Sequence, residues 1–123
     1  MIRIPTNAST AKKAKAAERR SKIRRSDLEF IRTQLELCAA HPEDCYADAE
    51  AAWRVVSATM TAQAPCGDEL VGLSGAISDI QLFLGAWETD PDYMEGRADL
   101  DKAIHAAFEA LAHVERTARI LKK

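Results

Sequence analysis

Apolar residues in the last quarter of the chain recur at alternating intervals of four and three positions. The series runs from residue 100 to residue 121, and neither proline nor glycine interrupts it. This spacing is typical of a helix with one apolar face, which can be buried only against other helices. We therefore predict a continuous helix from about Asp99 to Leu121. Its apolar face consists of Leu100, Ile104, Ala107, Leu111, Val114, Ala118 and Leu121.

Three earlier segments show a helical period and supply the partners that this face requires. The first begins at the capping-box pattern Ser26 to Glu29, or forms part of one long helix from about residue 11, and it ends at His41-Pro42. The second runs from Pro42 to about Gln63, the third begins at the cap Asp68, and Trp87 to Pro91 form a loop in which Asp90 caps the last helix. The predicted buried face of the second is Tyr46, Ala49, Ala52, Trp53, Val56 and Met60, and that of the third is Leu70, Leu73, Ile77, Ile80 and Leu84.

The first helix carries more apolar surface than one core can cover. One stripe is Leu28, Ile31, Leu35 and Cys38, and a second, with members seven residues apart, is Ile23, Phe30 and Leu37. Together they span about half of the helix circumference, whereas an outer helix of a bundle needs an apolar arc of about 100°. Excess apolar surface of this kind marks an interface, so we predict a homodimer formed through Ile23, Phe30 and Leu37.

These patterns predict an all-α fold, an antiparallel bundle of about four helices joined by short connections. Abundant alanine, few Gly and Pro residues and an apolar fraction of 47% favour helices over sheet. Residues 26–123 form the predicted bundle domain, and residues 1–25 form a basic extension that is helical or disordered. Gly72 and Gly75 are interpreted as points where a neighbouring helix approaches closely. We expect no membrane-spanning segment and no secretory signal, and hence a cytoplasmic protein.

Charge is distributed very unevenly along the chain. The net charge is only −2, but residues 1–25 hold nine basic residues and one acid, which leaves an acidic remainder of net charge −10. Clustered basic charge binds phosphate backbones or the acidic surface of a protein, or is a solvated tail. The predicted binding residues for a partner or for nucleic acid are Lys12, Lys13, Lys15, Arg19, Arg20, Lys22, Arg24 and Arg25.

Two side-chain clusters are candidates for chemistry. Cys38, His41 and Cys45 bracket one turn and Cys66 lies in the next, and zinc would accept such a set. However, successive turns of an up-down bundle lie at opposite ends, which places Cys66 out of reach and disfavours a metal site. Free thiols and a Cys38–Cys45 disulfide are the other interpretations, and the sequence leaves all three open. The row Asp101, His105, Glu109 and His113 lies opposite the apolar face of the last helix, so we expect it to face solvent.

The sequence contains no motif for catalysis, for a cofactor or for a metal. We therefore predict a small non-enzymatic binding protein, a regulator, adaptor or inhibitor that acts through protein–protein contacts of a helical bundle. The alternative is a nucleic-acid-binding accessory protein that uses the basic segment. No cofactor, metal or catalytic residue is predicted.

Overall fold

The computed structural model describes residues 21–89 and 94–122, and within them the chain forms four α-helices and two short strands. In chain order these are β1 (Lys22–Arg24), α1 (Arg25–Ala40), a short 3-10 helix (Pro42–Asp44), α2 (Tyr46–Ala62), α3 (Asp68–Thr89), α4 (Met94–Thr117) and β2 (Arg119–Leu121). The predicted all-α class is confirmed. Residues 1–20, which carry most of the predicted basic extension, lie outside the described residues.

The core lies between the four helices, each of which packs mainly against two others. The most extensive contact joins α3 to α4, followed by α2 with α3, α1 with α2, and α1 with α4. The apolar series predicted for α3 is completely buried, and the series on α4 is buried from Leu100 to Ala118. On α1, the stripe that includes Leu28 and Cys38 is buried as well. The helical period therefore predicted the main core positions of these three helices correctly.

The second helical segment begins later than predicted. Pro42 does not open α2 but belongs to the separate 3-10 helix, and α2 begins at Tyr46. Tyr46, the first residue of α2, was predicted to be buried but is exposed. Ala49, Ala52 and Val56 are buried as expected. Further along, α3 continues to Thr89, so Trp87 lies inside a helix and not in a loop.

The start of α1 corrects the predicted capping box. The residue before the helix is Arg24, whose backbone is extended at φ −76° and ψ 144°, and no side chain caps the helix. Ser26 therefore lies inside the first turn. The backbone of Arg24 is extended because the residues before α1 form strand β1, which the sequence prediction did not include.

Strands β1 and β2 form a parallel two-stranded sheet in which Lys22 pairs with Arg119, Ile23 with Ile120 and Arg24 with Leu121. Ile23 faces the core and is only 1% exposed, with Ile120 partly buried beside it. β-Branched residues suit such a half-buried strand. Helix α4 therefore ends at Thr117, and Leu121 is 38% exposed instead of completing the apolar face of α4.

Two predictions about Ile23 are wrong for the same reason. Because Ile23 is buried inside a single chain, it cannot belong to an exposed self-association surface with Phe30 and Leu37. The fold also includes residues that the boundary at Ser26 had assigned to the extension, since Ser21 and Ile23 are both buried. The main-chain and side-chain contacts of the fold thus begin at least five residues earlier than predicted.

Helix α3 is apolar on more than its buried face. It is long and apolar enough to span a membrane by composition, with a mean hydropathy of 1.3, a test that core helices of soluble proteins also pass. Gly72 and Gly75 lie on its exposed side, and a Cβ at either position would meet no atom of the described residues within 4 Å. None of the described helices therefore makes the close approach that these glycines were interpreted to allow.

Candidate functional site

The candidate site is the end of the molecule where β1 and β2 pair, and it is held together by Ser21. The Ser21 backbone N–H donates to Glu69 Oε1 at 2.8 Å, and its hydroxyl oxygen accepts from the N–H of Gly67 at 2.7 Å. The Ser21 carbonyl oxygen accepts from the N–H of Arg119 at 2.7 Å. A single buried serine thus ties β1 to the start of α3 and to β2.

The contacts of Ser21 with the start of α3 affect the pKa of Glu69. Burial raises the pKa of Glu69, but hydrogen bonds from its own backbone N–H and from Ser21 lower it by more, so the pKa lies below the ordinary value. Hydrogen bonds to the charged form of a carboxyl group have this effect. Glu69 is therefore the carboxylate form at neutral pH, where it accepts the hydrogen bond of the Ser21 amide.

Gln63, just after α2, forms hydrogen bonds with the edge of β1 that does not pair with β2. Its side-chain Oε1 accepts from the Lys22 N–H at 2.6 Å, and its Nε2 donates to the Lys22 carbonyl and, at 3.0 Å, to the Thr59 carbonyl. The amide side chain thus occupies both backbone groups of Lys22 in the way that a neighbouring strand would. Consequently β1 lies between β2 on one side and Gln63 on the other.

Pairing of the strands brings basic residues from both ends of the described chain together. Among the described residues, six exposed basic residues lie within the two strands or within three positions of them, and we call this set the terminal basic patch. None of the six forms an ion pair within the part of the chain that the structure describes. The patch consists of Lys22, Arg24, Arg25, Arg116, Arg119 and Lys122.

Two members of this patch, Lys22 and Arg119, occupy directly paired positions on the exposed face of the sheet. Like charges at paired strand positions repel each other, so this arrangement reduces stability. An anion bound over the sheet would offset that cost. The geometry is therefore that of a surface suited to carboxylates or phosphates.

A groove beside β1 adds apolar surface to the basic patch. It has a volume of about 450 Å³ and lies open to solvent between β1, α2 and the first turn of α1. Val55, Ala58 and Ala62 of α2 form its apolar floor together with Leu121 of β2. Lys22 and Arg24 line its edge, and Asp27 is the carboxylate within it. We call this the β1–α2 groove.

The predicted binding residues divide into two groups. Lys22, Arg24 and Arg25 are exposed and belong to the terminal basic patch, whereas Lys12, Lys13, Lys15, Arg19 and Arg20 lie outside the described residues. The sequence prediction missed Arg116, Arg119 and Lys122 as members of this site, because they read as ordinary basic residues at a helix C-terminus. The parallel pairing of β1 with β2 brings these three residues next to Lys22, Arg24 and Arg25, and this pairing has no local sequence signal.

The cysteines lie in two separate places. Cys38 and Cys45 are buried free thiols at the turn between α1 and α2, and Cys38 Sγ lies 3.8 Å from the Cys45 carbonyl oxygen that accepts from it. Interaction with the neighbouring Cys45 side chain, together with burial, raises the pKa of Cys38, and the interaction with Cys38 lowers the pKa of Cys45. Cys66 precedes Gly67, whose N–H bonds to Ser21, and so lies near the start of α1. Cys38 and Cys45 lie near the other end of α1, about one helix length away. Within residues 21–89 and 94–122 no group of three metal-ligating side chains is present.

The polar row on α4 faces solvent, as its position opposite the apolar face predicts. Asp101, His105, Glu109 and His113 are all exposed, and His105 Nε2 lies 2.9 Å from Glu109 Oε1. A contact between two exposed side chains of this kind contributes little to stability. The terminal basic patch and the β1–α2 groove are therefore the stronger candidates for function.

No family model, curated protein or solved structure matches this chain.

Proposed function

We propose that this chain is a small non-enzymatic binding protein, a regulator, adaptor or inhibitor that acts through protein–protein contact at the end where β1 and β2 pair. The observation that carries this proposal is the placement of Lys22 opposite Arg119, neither of which forms an ion pair with another described residue. A basic surface of this kind attracts and orients an acidic partner. The adjoining β1–α2 groove supplies apolar area, which protein interfaces require and phosphate contacts do not.

An antiparallel arrangement of the helices underlies this site, and we infer it from the hydrogen bonds of β1. Ser21 and Lys22 precede α1, Gln63 follows α2, Gly67 precedes α3 and Arg119 follows α4. Hydrogen bonds among these residues support the inference that the N-termini of α1 and α3 lie at the same end of the molecule as the C-termini of α2 and α4. That is the up-down-up-down order of a four-helix bundle.

The experiment that tests the proposed function compares two charge reversals. Binding of a labelled acidic polypeptide, poly-L-glutamate, is measured by fluorescence anisotropy for the wild type, Lys22→Glu and Lys102→Glu. We expect Lys22→Glu to weaken binding by about tenfold, and Lys102→Glu, an exposed position on α4, to change it by less than about twofold. Lys22→Glu should melt no lower than the wild type, because the new carboxylate faces Arg119. Equal binding by all three proteins, or no binding, would contradict the proposal.

Nucleic-acid binding is the second candidate, favoured by the six basic residues of the terminal basic patch, which form no ion pair with other described residues. Phosphate contacts release counterions, so affinity for duplex DNA of arbitrary sequence would fall steeply between about 50 and 200 mM salt. If the duplex binds in this way and poly-L-glutamate does not, the second candidate replaces the first. If the duplex does not bind at low salt, nucleic acid is excluded as the partner.

Self-association is a further part of the proposal, restricted to two residues. Phe30 and Leu37 are 41% and 37% exposed and lie seven residues apart on α1, so they share one face of the helix. Large apolar side chains that share an exposed face are typical of an interface. We infer that a second copy packs on this face, in a homodimer that leaves Ile23 inside each chain.

A further inference from the structure

The β1–α2 groove has a floor that suits apolar side chains. Ala58 and Ala62 lie four residues apart, so they share one face of α2. Their side chains are small, which leaves room in the groove above them. Val55 and the exposed Leu121 border that space. A volume of about 450 Å³ accommodates several aliphatic side chains.

The groove does not suit an added β-strand. A peptide that extends a sheet must bond the free N–H and C=O groups of the edge strand. In β1 the two groups of Lys22 already bond to the side chain of Gln63. Side-chain contacts on the α2 floor must therefore supply most of the affinity, which is how an amphipathic helix binds in a groove.

Charge selects the type of segment that fits. Lys22 and Arg24 line the groove and Arg119 lies opposite Lys22, whereas Asp27 is the carboxylate that lines it. A basic segment is disfavoured here. An acidic segment gains complementary contacts at the rim while its apolar side chains enter the floor.

We propose that the β1–α2 groove binds an acidic amphipathic helix of a protein partner, with its apolar face on Val55, Ala58 and Ala62 and its carboxylates on Lys22, Arg24 and Arg119. This inference rests on the proposed function and adds the chemical class of the partner. If the proposal is right, the groove binds acidic peptides that carry apolar side chains more tightly than acidic peptides that lack them.

The test uses two synthetic peptides of about 20 residues with equal net negative charge. The first places leucine at helical spacings of three and four, and in the second each leucine is replaced by serine. Isothermal titration with the full-length wild-type protein should show the leucine peptide binding at least about tenfold more tightly than the serine peptide. Light scattering of the complex should show one peptide for each protein chain.

A matched pair of variants locates the binding. Ala58→Arg fills the floor of the groove without removing positive charge, and Ala106→Arg makes the same change at an exposed position on α4. Arginine is a good helix former, so both variants should retain the helical circular dichroism spectrum. We expect Ala58→Arg to abolish the preference for the leucine peptide and Ala106→Arg to retain it. Leu121→Ser, at an exposed strand position, should reduce the preference as a second and independent variant.

The outcomes separate this inference from the proposed function. Equal binding of both peptides would leave the basic patch as an acidic-partner site and overturn the groove inference alone. If neither peptide binds, both proposals fail; if duplex DNA alone binds, the partner is a nucleic acid and both are again contradicted. A free protein that is dimeric and excludes the leucine peptide would show that a second copy occupies the groove, which also overturns the inference.

Discussion

Ser21 makes more structural connections than its position in the sequence suggests. It is completely buried, and its N–H, hydroxyl oxygen and carbonyl oxygen bond to Glu69, Gly67 and Arg119 in three different segments. Buried polar groups are costly unless they are paired, and the bonds formed by Ser21 satisfy the groups of its partners as well as its own. In the sequence, however, Ser21 is one small polar residue within a basic run, and nothing local marks it as buried.

We expect Ser21→Ala to destabilise the fold by about 1–3 kcal/mol, because the N–H of Gly67 would lose its acceptor in a buried position. The control is Ser26→Ala, which removes the hydroxyl of an exposed serine that caps no helix. That change should lie within about 0.5 kcal/mol. Denaturant unfolding of both variants measures the difference, and equal effects would show that the Ser21 hydroxyl contributes nothing.

Glu69 should make this junction sensitive to acid. Its folded-state pKa lies below the ordinary value of 4.5, so the unfolded chain takes up a proton first as the pH falls. The stabilisation is therefore fully present above about pH 4.5 and is lost as the pH falls through the lower folded-state pKa. The melting temperature of the wild type should exceed that of Glu69→Gln at pH 7, and the difference should shrink toward pH 3. A difference that stays constant over this range would rule out the carboxylate as its source.

Among the elements, α4 shows most clearly what the sequence pattern can predict. The alternating spacing of apolar residues predicted the buried positions from Leu100 to Ala118 and missed only Ala103, which lies beside Ile104. The same spacing continued to Leu121, although the chain leaves the helix after Thr117. The reason is a contact across the whole chain: Ile120 pairs with Ile23, and a local pattern carries no information about a partner about 97 residues away.

The candidate site was only partly predictable for the same reason. Lys22, Arg24 and Arg25 were recognised because they belong to a basic run, but Arg119 joins them only through strand pairing. The small floor residues Ala58 and Ala62 also gave no signal, since alanine on a helix is common in cores and on surfaces alike. Composition thus predicted the charge of the site, and tertiary structure determined its shape.

Two leucines of the predicted α4 series test whether α4 ends at Thr117. Leu111→Ala should destabilise the fold by about 2–5 kcal/mol, because Leu111 is fully buried and its truncation leaves a cavity. Leu121→Ala, the same change at an exposed strand position, should cost less than about 1 kcal/mol. Comparable costs in urea unfolding would mean that Leu121 is buried in solution and that α4 continues beyond Thr117.

On the scale of the whole molecule, β1 decides where the stable fold begins. A chain that starts at residue 26 lacks Ser21 and Ile23, whereas a chain that starts at residue 21 retains both. We expect the shorter chain to be less stable by more than the burial of one isoleucine, about 1.5–3 kcal/mol, since it also loses the hydrogen bonds of Ser21. Thermal unfolding followed by circular dichroism compares the two. Equal melting temperatures would place β1 outside the cooperative fold.

The oligomeric state is the second prediction for the whole molecule. Phe30 and Leu37 should pair with the same surface of another copy, so the wild type should be a dimer at tens of micromolar by light scattering. The double variant Phe30→Glu with Leu37→Glu should be monomeric and retain its helical spectrum, because neither side chain is part of the core. Leu82→Glu, at an exposed position on α3, is the matched control and should remain dimeric. A monomeric wild type would contradict the prediction.

The parallel pairing of β1 and β2 also determines how the molecule responds to tension. Pulling on residue 21 and on residue 121 in opposite directions slides the two strands past each other, since they run in the same direction and the force acts at opposite ends of the pair. The hydrogen bonds of a parallel ladder then carry the load together instead of opening one at a time. Such loading in shear resists rupture more strongly than peeling does. Force applied through these two points must therefore break the strand pair and expose Ile23 before it can pull α1 and α4 apart.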